Sequence, residues 1–358
     1  MTSTLRPPAR PGARDDERAA LRARLQEYYG RVLASSRDLS QSTCCTTDTS
    51  SRYGSILELL PRAVVERAYG CGCPIPDDDL TGLTVLDLGS GAGVDAFVLS
   101  YLVGPDGFVH GVDMTPEQLA VAREHAPTVA RRFGYAEPNT AFHEGFIETA
   151  DAIADASIDL VVSDCVINLS PAKDEVFSTI WRVLKPGGEL YVSDIYADRR
   201  VPREVSEDPR LFAECVGGAD YEHDGLDRMR DAGFLDPRVV SRRIVQTEAL
   251  GQPITFSSLT LRAHKLVEPL DRRCEDYGQL ATYRGTLRAS PARFTFDDHH
   301  VFEAGRPTPV CRNTARMLSQ TRLRAHFEVT APIRHFGLFA CGPAPGGAQA
   351  PSPGDCCA

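Results

Sequence analysis

The chain carries eleven cysteines in 358 residues. They stand as Cys44-Cys45, Cys71-x-Cys73, single Cys165, Cys215, Cys274, Cys311 and Cys341, and Cys356-Cys357. No CxxC pair occurs, so zinc-ribbon and thioredoxin motifs are both absent. An odd count behind an N-terminal run without a secretory apolar stretch argues against a disulfide framework. The thiols therefore read as reactive groups or as ligands for a soft, thiophilic centre.

A second set of residues suits a small organic ligand. Val85-Leu86-Asp87-Leu88 runs into Gly89-Ser90-Gly91-Ala92-Gly93, an apolar strand ending in a glycine-rich turn that lets backbone approach a ligand. Asp113, twenty residues after Gly93, is placed to accept from two ribose hydroxyls. A dinucleotide fold offers both features, but the third glycine of its fingerprint would fall at Val94, where a branched side chain spoils helix–strand packing. Asp87 with a G-x-G-x-G loop fits a ligand without phosphate, S-adenosylmethionine. Val183-Leu184-Lys185-Pro186-Gly187-Gly188 adds a turn characteristic of class I methyltransferases, which these features together resemble. Met114 would lie under the adenine, and Ile147-Glu148 would meet its edge. A core methionine and a surface glutamate are the alternative reading of those positions.

These groups need a scaffold. Apolar runs at Leu83–Leu88, Phe108–Val112, Thr140–Phe142, Ile158–Val162 and Glu189–Ser193 read as strands, with helices at Pro116–Arg132 and Asp174–Leu184 between them. Strict alternation of the two predicts an α/β fold, a Rossmann-like doubly wound sheet, with ligands beyond the C-terminal strand ends. Cys165 then follows the fourth strand and faces the methyl donor, although a lone cysteine after an apolar strand is commonly just a small buried hydrophobe. An amphipathic helix is expected from about Glu17 to Ala34 and a short one over Pro61–Tyr69. Residues 196–235 read as polar helix, and Arg238–Thr247 and Ile254–Leu261 as strands able to close the sheet. Beyond Leu266, short turn-separated strands indicate a small β-containing C-terminal domain.

Tyr69-Gly70-Cys71-Gly72, Ser163-Asp164-Cys165-Val166-Ile167-Asn168-Leu169, Glu214-Cys215-Val216-Gly217-Gly218-Ala219 and Cys44-Cys45-Thr46-Thr47 closely resemble the arsenite methyltransferase family. The resemblance runs from about Tyr28 to about Pro332. It implies that Cys165 and Cys215 bind trivalent arsenic, that Cys71 adds a third thiolate or a redox partner, and that Cys44 pairs with Cys71. It also implies arsenite or an arsenic–thiol conjugate as substrate, S-adenosylmethionine as donor, thioredoxin or glutathione as reductant, and methylated arsenicals as products of a detoxification reaction. Asp164 departs from the family's asparagine, and a carboxylate there should raise the thiol's pKa. Cys45 and Cys73 are additional thiols beside the expected Cys44 and Cys71. Cys356-Cys357 either captures arsenic, bridges to a redox partner, or is an exposed pair without a catalytic role, while Cys274, Cys311 and Cys341 are assigned to structure or chance.

The expected organisation is a flexible arm over residues 1–18, a methyltransferase domain over 19–265 that includes the thiol segment and an arsenic-binding insertion, a C-terminal α+β domain over 266–340, and a disordered tail over 341–358. A net charge of -10 repels phosphate backbones and anionic lipid, so nucleic acid and membranes are not expected partners. A cytoplasmic monomer is expected. Two other readings compete: a methyltransferase of the same fold acting on another small organic substrate, and a thiol-rich metalloid-binding protein with a vestigial core.

Overall fold

The computed structural model describes residues 13–33, 52–245, 251 and 253–341. Eight strands form the main sheet: β1 (Thr84–Leu88), β2 (Phe108–Asp113), β3 (Thr140–Glu144), β4 (Ile158–Asp164), β5 (Leu184–Ala197), β6 (Asp220–Tyr221), β7 (Arg238–Val245) and β8 (Phe256–His264). Their order is β3-β2-β1-β4-β5-β8-β7, with β6 on the end of β5. The first five are mutually parallel, whereas β8 runs antiparallel between β5 and β7. The doubly wound prediction holds, and the two late strands do complete the sheet.

Burial explains the order. Helices cover both faces of a parallel sheet, so the middles of β1 and β4 are apolar; Val85, Leu86, Leu88, Leu160, Val161 and Val162 are buried. On one face Val85 and Leu160 pack with Phe97 and Leu99 of helix Val94–Val103 and Leu119 of helix Pro116–Phe133. On the other, Leu86 and Val161 pack with Phe177 and Ile180 of helix Lys173–Val183. Chain reversal between β1 and β4 opens a crevice at the sheet's C-terminal edge, where doubly wound folds place ligands.

Several boundaries differ from expectation. The first helix begins at Ala13 and runs to Glu27 before a π turn over Tyr28–Val32; the arm expected over residues 1–18 is thus helical from Ala13. The Lys185–Gly188 turn lies within the span of β5, where register steps from Ile158↔Leu184 to Leu160↔Glu189 and the intervening residues bulge out. Residues 196–235 break into helical turns at Arg203–Ser206 and Pro209–Ala213, then β6 and helix Glu222–Asp231. Beyond Leu266, a three-stranded sheet (Pro307–Val310, Gln279–Tyr283, Phe327–Val329) carries helix Arg312–Gln320. Its core includes Tyr283, Phe294, Phe296, Phe302 and Phe327. Arg322 joins it to β5 of the main sheet through Glu189 at 2.5 Å, and to the segment before β1 through Asp78 at 2.8 Å. Among the described residues, no helix is long and apolar enough to cross a membrane.

Candidate functional site

The cavity at the β1/β4 crevice is built first from the glycine loop. Gly89 and Gly91 have positive φ and line it, and a side chain at Gly89 would strike Val166 at 2.6 Å. A Cβ at Gly91 would meet no protein atom within 4 Å, so the loop backbone is bare toward the cavity. Gly93 plays another part than the one expected. It is the left-handed N-cap of helix Val94–Val103 and packs against Phe142 and Phe97, outside the lining.

Acidic groups dominate the walls. Asp87, Asp95, Asp113, Asp164 and Glu148 all line the cavity. The Asp113 carboxylate accepts from Gly91 N at 2.9 Å and Thr115 N at 2.8 Å, which fixes it while leaving lone pairs for ribose hydroxyls. Burial, with Asp95 and Asp113 nearby, holds the Asp87 carboxyl well above its ordinary range; burial pushes Asp95 up to about 6. Asp87 Oδ2 and Ser90 Oγ are buried without a hydrogen-bond partner. Such a set lacks a positive, hydrogen-bonding ligand. S-adenosylmethionine, with a sulfonium and an ammonium, fits that deficit, and the bare loop fits its close approach.

Another wall comes from the first helix and the π turn that follows it. Arg22, Leu25 and Tyr29 line the cavity. Arg22 lies 4.1 Å over the Phe146 ring and pairs with Glu148 at 3.3 Å. Glu148 also accepts from Ser170 Oγ at 2.8 Å and is buried, so it is no surface residue. Ile147 and Met114 line the cavity as expected, and Gln26 donates to the Met114 carbonyl at 2.6 Å.

Three thiols converge beside this cavity. Cys165 lines it at the end of β4, with its N–H donating to Ser193 O at 2.8 Å. The Cys215 thiol donates to Cys165 O at 2.8 Å, and the two sulfurs and an Asp194 oxygen lie within 4.8 Å of one another. Cys165 and Cys215 have φ of 55° and 65°, two of four positive values among the described non-glycine residues. Strain of this kind persists where surroundings enforce it, and it gathers at functional sites. Around Cys215 stands Asn168, whose Nδ2 donates to Cys215 O at 3.5 Å and to Ile195 O at 2.6 Å while its Oδ1 accepts from Lys173 Nζ at 2.9 Å.

Cys71 is joined to Cys165 by a disulfide, a different partner from the Cys44 that the resemblance implies. Cys44 and Cys45 lie outside the described residues, as do Cys356 and Cys357. The bonded form is the oxidised one. Asp164 explains the approach of Cys71. Its Oδ1 accepts from Cys71 N at 3.0 Å and Gly72 N at 3.1 Å. Gly70 is required beneath it, because a Cβ there would fall 1.8 Å from Asp164 Oδ2. From the other side Ser258 Oγ and Arg243 Nη2 donate to Cys71 O at 2.9 and 3.0 Å. The carboxylate that departs from the family pattern thus positions the Cys71 turn. Burial and then Asp95 hold its own carboxyl well above the ordinary range.

A methyltransferase domain family matches residues 79–240. An arsenite methyltransferase of Aquipseudomonas alcaligenes is 48% identical over 331 residues, covering 89% of this chain and 94% of the relative. The human arsenite methyltransferase is 36% identical over 322 residues, covering 87% and 84%. The chain belongs to the arsenite methyltransferase family. A crystal structure of CrArsM, an arsenic(III) S-adenosylmethionine methyltransferase from Chlamydomonas reinhardtii, matches with a TM-score of 0.76 at 43% identity, over 80% of this chain and 97% of that one.

As a member of the arsenite methyltransferase family, the chain agrees with the resemblance of its thiol motifs. Sequence reasoning missed Asp95, Arg22, Leu25, Tyr29, Tyr53 and Phe146, all of which line the cavity. Asp95 was within reach, since it sits in the first turn of the helix that the glycine loop opens. Arg22 was not: its contacts with Phe146 and Glu148 span more than a hundred residues and leave no local pattern. Cys73, an extra thiol in the sequence, also lines the cavity.

Proposed function

We propose that this enzyme methylates trivalent arsenic held by Cys165 and Cys215, using S-adenosylmethionine. The observation that carries the proposal is the convergence of two strained cysteines, one of which, Cys165, lines an acidic cavity suited to a cationic donor. Soft thiolates select a soft trivalent centre over harder competitors. When bound, S-adenosylmethionine supplies an electrophilic methyl carbon to the arsenic lone pair. Asp113 and the bare Gly91 backbone hold the donor; Asp87, Asp95 and Asp164 stabilise its charge; and helix Ala13–Glu27 excludes water. Positioning and desolvation are then the main sources of rate. No base is needed, because arsenic has no proton to lose.

Transfer leaves arsenic pentavalent. Attack of the Cys71 thiolate on the arsenic-bound Cys165 sulfur returns it to the trivalent state: the As–Cys165 bond breaks, its electron pair stays on arsenic as the lone pair, and the two sulfurs end as a disulfide. A Cys71–Cys165 bridge is such a product. Attack of a Cys44 thiolate on Cys71 sulfur would release Cys165 as thiolate and move the bridge to Cys44–Cys71, where thioredoxin or glutathione could reduce it. The near-complete burial of Cys71 favours such a relay over direct attack by an external thiol. We further propose that the enzyme works as a cytoplasmic monomer in arsenic detoxification.

The test is mass spectrometry of products from reduced protein, arsenite, isotopically labelled methyl donor and thiol. Labelled methylarsenicals in catalytic amounts are expected, and their absence from protein that binds donor would refute the substrate assignment.

A further inference from the structure

Outside the crevice, three other cysteines meet. Cys274, Cys311 and Cys341 have sulfurs within 4.8 Å of one another, and no His, Asp or Glu among the described residues joins their group. They arrive from three separate segments. Cys311 is the N-cap of helix Arg312–Gln320, its sulfur accepting from Thr314 N at 3.4 Å. Cys341 is delivered by the pairing of Gly337–Leu338 with Glu275–Asp276, which continues as Phe339 N donating to Cys274 O at 2.8 Å. Three thiolates each about 2.3 Å from one pyramidal atom stand about 3.5 Å apart, a contraction of at most about 1.3 Å from this arrangement.

The surroundings discriminate between ions. Arg238 Nη2 stands 4.0 Å from Cys274 Sγ and 3.7 Å from Cys311 Sγ, and is anchored by Asp236 at 2.6 Å. A guanidinium cannot ligate a cation and cannot lose its proton. A structural zinc asks for four donors, and among the described residues only three stand here. A pyramidal trivalent centre needs only three.

We propose that Cys274, Cys311 and Cys341 form a second thiol site that captures trivalent arsenic as a tris-thiolate, apart from Cys165 and Cys215. Arsenite exchanges its three hydroxyls for three thiolates. Each thiol proton leaves with a hydroxyl as water, three As–S bonds replace three As–O bonds, and no electrons move. Capture would tie the end of the described chain, through Cys341, to the segment at Cys274 and the helix at Cys311. The proposal rests on the substrate reading above only in taking arsenic to be the metalloid this enzyme encounters.

The test uses full-length reduced protein with arsenite as probe. In the parent, arsenite should lower iodoacetamide labelling of the Cys274 and Cys341 peptides by about tenfold, measured by peptide mass spectrometry. Cys274→Ser/Cys341→Ser, which leaves the buried Cys311 in place, should lose one bound arsenic per chain after desalting and keep saturated methylation turnover. Unchanged labelling of both peptides overturns the site, and so does unchanged stoichiometry in the variant. Bound zinc lost by the variant, with arsenic retained, overturns the metalloid assignment. Protection of these peptides while those of Cys165 and Cys215 label freely would instead refute the catalytic reading and leave this one standing.

Discussion

The Cys215 thiol donates to the backbone carbonyl of Cys165 across 2.8 Å, so each cysteine helps fix the other in its left-handed conformation. The carbonyl holds the incoming thiol until a metalloid displaces its proton. On the proposed reading both sulfurs of the reduced protein then address one arsenic atom.

Cys165→Ser and Cys215→Ser should each lower arsenite methylation by at least about 100-fold, the scale on which small misplacements of reacting atoms cost rate. Serine keeps the volume but not the soft ligand. Calorimetry should find donor affinity little changed, because the Gly89–Gly91 loop and Asp113 are untouched. Full turnover in both variants would remove arsenic from these thiols.

Asp113→Ala should weaken donor binding by about 1 to 3 kcal/mol, the loss of a charged acceptor. The same change frees the N–H groups of Gly91 and Thr115, which the carboxylate now engages. A titration with equal affinities for variant and parent would exclude Asp113 from the donor site.

The sheet was legible because β1 and β4 are apolar on both faces and end in a glycine turn, a local signal. Asp113 and Cys165 followed from it, since each stands at a strand's C-terminal end. The role of Gly93 was not legible: a helix-capping glycine and a ligand-facing one read alike in sequence. Nor was the partner of Cys71, since Asp164, Ser258 and Arg243 come from 93, 187 and 172 residues away. The three C-terminal cysteines looked unrelated because only the pairing of Leu338 with Glu275 brings Cys341 to Cys274.

Donor binding should depend on pH with a definite sign. Burial raises the Asp95 carboxyl to about 6, and burial with Asp95 and Asp113 nearby holds Asp87 well above its ordinary range. A bound cation favours the charged carboxylates, so their pKa values fall on binding. Below about pH 6 the free protein holds a proton that binding must expel, and affinity should drop by up to about tenfold per pH unit for that group. Titrations from pH 5 to 8 check this; affinity that is flat or rises toward pH 5 contradicts the acidic-cradle account.

Gly70→Ala tests whether Asp164 positions the Cys71 turn. The added methyl would fall 1.8 Å from Asp164 Oδ2 and 2.6 Å from its Cγ, so either the carboxylate or the turn must move. Overpacking of this kind costs about 1 to 3 kcal/mol. Because the same carboxylate accepts from Cys71 N and Gly72 N, displacing it releases the thiol that lies against Cys165. Denaturant melts of reduced protein should show the stability loss. Product analysis should show slowed arsenite methylation, with donor affinity within about twofold of the parent, since the glycine loop at Gly89 and Gly91 is untouched. Stability and turnover both matching the parent would mean that the Cys71 turn tolerates a side chain, and that Asp164 does not set its place.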